Sequence, residues 1–196
     1  VVDRVVAVVE DALVTLSELT FEARVLLVQR AGPQAAQAPV DEALLRSVLE
    51  LSIAQRLQVR EAERLGAFAL EQAERQALVD AFRARFPAPA SLDAFLEAHG
   101  ADVLQLGALL ERGARAERAL DSRLRVRVQV TEAEVRRHYE RQAAALGGRP
   151  YTEVRERLRD ELVRARSRAA AAEEVALLAR GARIRRVAPF AREEGR

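Results

Sequence analysis

Apolar residues change their spacing along this chain, and each change predicts an element. Val5-Val6-Ala7-Val8-Val9 is an unbroken, β-branched run, Glu10-Asp11 interrupts it and Ala12 to Leu16 resumes it, which predicts a buried strand, a tight turn holding Asp11 and a second strand. Thr15 and Glu18 have the spacing of a T-x-x-E capping box, with Ser17 as a competing N-cap, so a helix is expected from here to about Arg30. Residues 31–39, with Gly32, Pro33 and Pro39, read as a loop. Asp41 is then placed to cap a long helix, with Val40 and Leu45 at the positions of a hydrophobic staple. Leu45, Leu49, Ile53 and Leu57 recur every four residues, and Leu44, Val48 and Leu51 widen the stripe, so this helix should be buried on more than one side before Gly66 ends it.

A further helix is expected from about Glu71 to Phe86, stopped by Pro87-Ala88-Pro89-Ala90. Ser91 should cap a short helix carrying Leu92, Phe95 and Leu96 and closed by His99-Gly100. A longer helix follows from Asp102 to about Leu124, with Leu106, Leu110, Leu120 and Leu124 on overlapping rows. Gly107 and Gly113 inside it read as close-packing points, because an interior glycine costs about 1 kcal/mol relative to alanine. Val126, Val128 and Val130 alternate with Arg127 and Gln129, which suggests an extended link. Thr131 and Glu134 form the clearest capping box, with Val130 and Val135 as its staple, and the helix should reach about Ala145 before Gly147, Gly148 and Pro150 break it. The longest pattern runs from Tyr151 to Arg180, about 45 Å at 1.5 Å per residue. Its Val154, Leu158 and Leu162 are expected to return toward the core of the opening hairpin. Gly181 terminates it, and Ile184 to Val187 is a candidate third strand beside that hairpin, since a lone two-stranded hairpin is marginal in water. The fold class is therefore mostly α, a multi-helix fold with a small β-sheet formed by the N-terminal hairpin and a C-terminal strand.

Composition narrows the functions. The 196 residues are 49% hydrophobic but only 4% aromatic, which suits one cooperative domain, residues 1–196, with an aliphatic core. Without cysteine there is no disulfide, thiolate nucleophile or thiolate-ligated metal. The 32 basic residues, all arginine, nearly balance 30 acidic ones and the signs are interspersed, a solvated surface more than a nucleic-acid groove. The chain contains no methionine, so an N-terminal segment is expected to have been removed, a secretory signal peptide being one explanation. No run approaches the roughly 20 apolar residues that span a bilayer.

The sequence contains no G-x-x-x-x-G-K-[ST], G-x-G-x-x-G or H-E-x-x-H, so no cofactor, no metal site and no catalytic residue are expected. His138 beside Tyr139 has neither a nucleophile nor a second ligand nearby and reads as a surface or partly packed histidine. The carboxylates of Glu173-Glu174 and of Glu193-Glu194 are adjacent, diverge by about 100° on a helix and read as solvated. Arg155, Arg157, Arg159, Arg164, Arg166 and Arg168 suggest a phosphate-binding face, but Glu153 with Arg157 and Asp160 with Arg164 stand at the i, i+4 spacing of helix-stabilising pairs; nucleic acid is not the expected partner. Phe68, Phe82, Phe86, Phe95 and Tyr139 gather most of the aromatic residues around the middle helices. They are either core or the lining of a concave apolar surface that takes up the side chains of unfolded polypeptides.

Several segments in order carry a family resemblance: Val2-Asp3-Arg4-Val5-Val6-Ala7-Val8-Val9 with Ser17-Glu18-Leu19, Gln58-Val59-Arg60-Glu61-Ala62-Glu63-Arg64-Leu65-Gly66, Ser91-Leu92-Asp93-Ala94-Phe95-Leu96, and Val130-Thr131-Glu132-Ala133-Glu134-Val135 with His138-Tyr139-Glu140. Together with Pro150 to Val187 they make the chain resemble the SurA N-terminal family, periplasmic chaperones of Gram-negative bacteria related to PrsA-type foldases. The resemblance implies an ATP-independent periplasmic chaperone, its signal peptide removed, that binds unfolded or nascent outer-membrane or secreted polypeptides through an apolar groove. It also implies a core built from residues 1–66 and 150–190, with a helical lobe at 67–149. Many relatives insert a parvulin prolyl-isomerase domain after the V-T-x-x-E-V helix, whereas here a short glycine-containing link joins Gln142 to Tyr151, so isomerase activity is not expected. The alternatives are a structural or assembly subunit binding one specific partner, or a weak nucleic-acid-binding helical protein. Long helices joined by Gly/Pro breaks also allow a domain-swapped homodimer.

Overall fold

The hairpin forms as its pattern predicts. In the computed structural model, which describes residues 3–125, 127–142 and 145–192, β1 (Val5–Val9) and β2 (Ala12–Thr15) pair antiparallel with Val9 opposite Ala12 and Val5 opposite Thr15. Val2 of the predicted opening lies outside the described residues. Glu10 turns the chain with a left-handed φ of +56°, and its backbone N–H donates to the carbonyl of Arg183 at 2.7 Å. That contact introduces β3 (Ile184–Arg186), which lies antiparallel along the other side of β1 with Ile184 opposite Val9, giving the order β2-β1-β3.

Local caps set most helix starts. Thr15 accepts from the Glu18 N–H at 3.4 Å and opens α1 (Leu16–Ala31), while the competing Ser17 hydrogen-bonds Asp3 instead. The segment read as loop holds a 3-10 turn, Pro33–Gln37, whose end is tied to α1 by Arg24 donating to the carbonyls of Ala36 and Ala38. Asp41 accepts from the Leu44 N–H at 2.8 Å and opens α2 (Glu42–Arg64). A capping box of Glu71 and Glu74 starts α3 (Gln72–Arg83), which stops three residues short of Phe86. α4 (Pro89–Ala98) begins at its proline and not behind a Ser91 cap. Proline's fixed φ and missing N–H suit a first helical turn, and the Ser91 N–H already bonds the Ala88 carbonyl at 3.0 Å. Asp102 and Gln105 bond reciprocally at the start of α5 (Val103–Leu124).

The chain packs into two units, residues 1–119 with 178–196, and residues 120–177. In the first, α1 serves two cores. Leu19 and Ala23 join Val6, Val14, Leu49, Ile53 and Leu57, with Ala188, Phe190 and Ala191 of the C-terminal segment. Phe21, Val25 and Val28 join Val79, Phe82, Leu92, Leu96, Leu106 and Leu110 of α3 to α5. Gly107 and Gly113 sit near Val79 and Gln55, but a β-carbon at either would meet its neighbour at 3.6 Å, ordinary contact, so neither position demands glycine.

In the second unit, Thr131 and Glu134 make the predicted capping box and open α6 (Glu132–Gln142). Ala143 and Ala144 of the expected helix end lie outside the described residues. Val135, Leu146, Val154 and Leu158 form this unit's core, flanked by Val130, Tyr139, Tyr151 and Leu162. The expected return of Val154, Leu158 and Leu162 to the hairpin core is therefore corrected. Gly147 and Gly148, both with positive φ, turn the chain so that the first turns of α7 (Tyr151–Arg180) meet α6. The predicted extended link is also corrected: the N–H groups of Arg127 and Val128 both bond the Leu124 carbonyl, prolonging the end of α5 as a turn, while Val126 lies outside the described residues. Among the described residues, no helix is long and apolar enough to cross a membrane.

Candidate functional site

The aromatic residues singled out from the sequence do not form one surface. Phe82 and Phe95, 2% and 8% exposed, are core residues of the first unit. Their ring centroids lie 6.2 Å apart, with Phe86 5.6 Å and Phe21 6.1 Å from Phe95. As a client-facing surface these two are corrected: α4 packs Phe95 against α1 and α3, where each ring gains apolar contact on several sides. Phe86 is half-buried at the margin of this cluster, and Phe68 is half-buried in the α2–α3 connection with φ +62°. Tyr139 belongs to the second unit, where its hydroxyl donates to the Arg149 carbonyl at 2.8 Å and its ring meets Tyr151 edge-on.

Most of the charged candidates among the described residues are engaged within the chain. Arg155 and Arg159 of α7 bond Glu132, and Arg166 bonds Glu134, which uses half of the suspected phosphate-binding arginines as internal cross-links. The Arg155 and Tyr151 hydrogen bonds hold the Glu132 carboxyl down to about 2. Arg166 and the Thr131 N–H do the same for Glu134, also to about 2. Asp160 and Arg164 come within 3.8 Å as expected, whereas Arg157 approaches Glu161. Glu174 is not solvated: it is buried and pairs with Arg123, while Glu173 pairs with Arg127 at 2.7 Å. Glu193 and Glu194 lie outside the described residues. His138 is half-buried, 3.1 Å from the Gln142 amide nitrogen. His99 packs edge-on against Phe95, and burial with the nearby Arg24 charge lowers its pKa. No group of three His, Cys, Asp or Glu side chains suited to a metal ion occurs among the described residues.

The concave surface of the first unit lies elsewhere. A cleft of about 490 Å³ opens between the hairpin turn, α2 and α5, bordered by Ala12, Leu57, Val59 and Arg60. A second, of about 430 Å³, opens between the β2–α1 junction and the start of α5, bordered by Thr15, Phe21, Ala101 and Leu109. Ala108 and Arg112 of α5 line both. Leu104, 82% exposed, stands on the same helical row, four residues before Ala108 and eight before Arg112. Both clefts mix aliphatic side chains with charged ones.

Between them sits a buried polar network. The Glu22 carboxylate, 6% exposed, accepts from Arg112 Nη2 at 2.5 Å and from the fully buried Ser52 hydroxyl at 3.3 Å. Ser52 in turn accepts from Arg56 Nε at 3.3 Å, and Arg56 pairs with Glu18. Burial pushes the Glu22 pKa up, outweighing the opposite pull of Arg112 and Arg56. These residues escaped the sequence reading, although Glu18 with Glu22 and Ser52 with Arg56 are i, i+4 pairs on helices whose apolar rows continue past them. A family model for the SurA N-terminal domain matches residues 2–112, more than half of the chain, and so takes in Glu22, Ser52, Arg56 and Arg112. No curated protein matches the chain.

Proposed function

We propose that this chain, which belongs to the SurA N-terminal domain family, is an ATP-independent chaperone that holds unfolded outer-membrane or secreted polypeptides in the periplasm. The observation that carries the reading is the pair of neighbouring clefts sharing Ala108 and Arg112 within the family-matched part of the chain. A chaperone of this kind must hold many sequences weakly, which calls for shallow apolar contact with a polar rim and no deep selective pocket. Ala12, Val59 and Leu109 supply aliphatic contact, and the exposed Leu104 stands on the same helical row as the shared Ala108. The surrounding arginines and carboxylates keep such a surface hydrated between clients. Nothing in this cycle requires nucleotide, and the chain carries no phosphate-binding motif. The reading includes no prolyl-isomerase step, because residues 143–150, all that joins α6 to α7, leave no room for an inserted domain.

The test is aggregation of a chemically unfolded β-barrel protein diluted into buffer without ATP, followed by light scattering. The chain at several-fold molar excess should suppress scattering. Scattering unchanged across the whole range of ratios would refute the proposal.

A further inference from the structure

The two clefts adjoin at Ala108 and Arg112 of α5. Arg112 lines both, and it pairs with Glu22, which borders the second cleft. Arg56, which borders the first, pairs with Glu18, which borders the second. These two ion pairs bridge from one cleft to the other. Ala108, the other shared residue, has only a methyl group to interpose.

We propose that the Arg112–Glu22 and Arg56–Glu18 pairs are a gate, and that opening it joins the two clefts into one continuous groove for an extended polypeptide segment. The inference rests on the chaperone reading and names how that site is regulated. The Arg112–Glu22 pair is buried, so swinging Arg112 away while Glu22 is charged would strand a buried carboxylate, and protonating Glu22 removes that cost. Arg56 and Arg112 both have flexible stems rooted on helices, so they swing without moving backbone.

The closed state depends on the Glu22 charge. Four groups face that carboxyl: Glu18 from its own helix, Ser52 and Arg56 from α2, and Arg112 from α5. Burial has already raised its pKa from the ordinary 4.5. As pH falls toward that ordinary value, Glu22 takes up its proton early. Arg112 then keeps its 3.4 Å hydrogen bond to Gln55 Oε1 and the more distant Glu18, at 3.8 Å, but loses its closest charged partner, and the gate loosens. An acidified periplasm would thus widen the groove as acid-stressed proteins unfold.

Glu22→Gln imitates the protonated carboxyl at nearly constant volume. The experiment measures anisotropy of a fluorescently labelled, permanently unfolded polypeptide titrated with the full chain at several pH values, with circular dichroism as the check on folding. The wild type should bind several-fold more tightly as pH falls toward 4.5, and Glu22→Gln should bind tightly at neutral pH with that dependence largely gone. The double variant Glu22→Gln/Arg112→Gln, which leaves no buried charge unpaired at this position, should behave like Glu22→Gln and covers the case in which the single variant misfolds. If the wild type binds but both variants keep its affinity and pH dependence, the gate is wrong and the chaperone reading stands. If no form binds the probe at any pH, the chaperone reading falls and the gate with it.

Discussion

Arg46 donates from Nε to the carbonyl oxygen of Phe190 at 2.9 Å, a hydrogen bond between residues 144 positions apart. It marks where the C-terminal segment enters the first unit. Phe190, 5% exposed, packs in the same core as Leu45 and Leu49, β3 completes the sheet beside β1, and Arg186 clasps Glu50. The hairpin thus draws its second neighbour from the far end of the chain.

Removing that neighbour should be costly. Phe190→Ala is expected to lower stability by about 3–5 kcal/mol, the range for truncating a buried phenylalanine. A chain cut after Gly148 loses β3 and Phe190 together, and its first unit should melt well below the parent in thermal circular dichroism. A truncated chain that unfolds cooperatively at the parent temperature would show that the hairpin does not need its third strand.

The interior glycines of α5 predict the opposite sign. An added methyl at Gly107 or Gly113 meets only ordinary contacts, and both positions are helical. Gly107→Ala and Gly113→Ala should each therefore stabilise the protein by about 1 kcal/mol from helix propensity. Urea unfolding measures this, and a loss of stability in both variants would mean that close approach outweighs propensity.

Acid should loosen the second unit. Glu132 and Glu134 titrate near 2 when folded against an ordinary 4.5, so the stability they contribute is present above 4.5 and lost as pH falls from there toward about 2. Both carboxylates are solvent-accessible, so salt should weaken the effect by screening the Arg155 and Arg166 charges. Hydrogen exchange of α6 amides between pH 5 and 2 should show protection falling, with a shallower fall at high salt. Glu132→Gln should flatten part of the dependence, and an unchanged profile would contradict the assignment.

The features legible in the sequence are those decided over a few residues. Thr15, Asp41 and Thr131 cap as their spacing says, because the N–H groups they satisfy lie within one turn. The third strand was legible too, since β1 lacked a second partner and Ile184 to Val187 offered one. Val154 and Leu158 show the limit: their spacing declares a buried face but not the surface it meets, which the turn at Gly147-Gly148 decides. The same limit hid the candidate site. Glu22 looks like any helical carboxylate until Arg112, 90 residues later, folds against it. Phe82 and Phe95 were correctly gathered with Phe86, but aromatic content alone does not say whether a cluster lines a groove or fills a core.

The central claim is that unfolded polypeptide occupies the clefts that meet at Ala108. Site-specific photo-crosslinking tests it most directly, with a photoreactive residue placed at Ala108, exposed and lining both clefts, or at Asp93, exposed on α4 and bordering neither. Mixed with an unfolded β-barrel protein and irradiated, the Ala108 probe should give abundant client adducts that an unlabelled client competes away, and the Asp93 probe should give few. Equal adduct yields at the two positions, or adducts at Asp93 alone, would contradict the account.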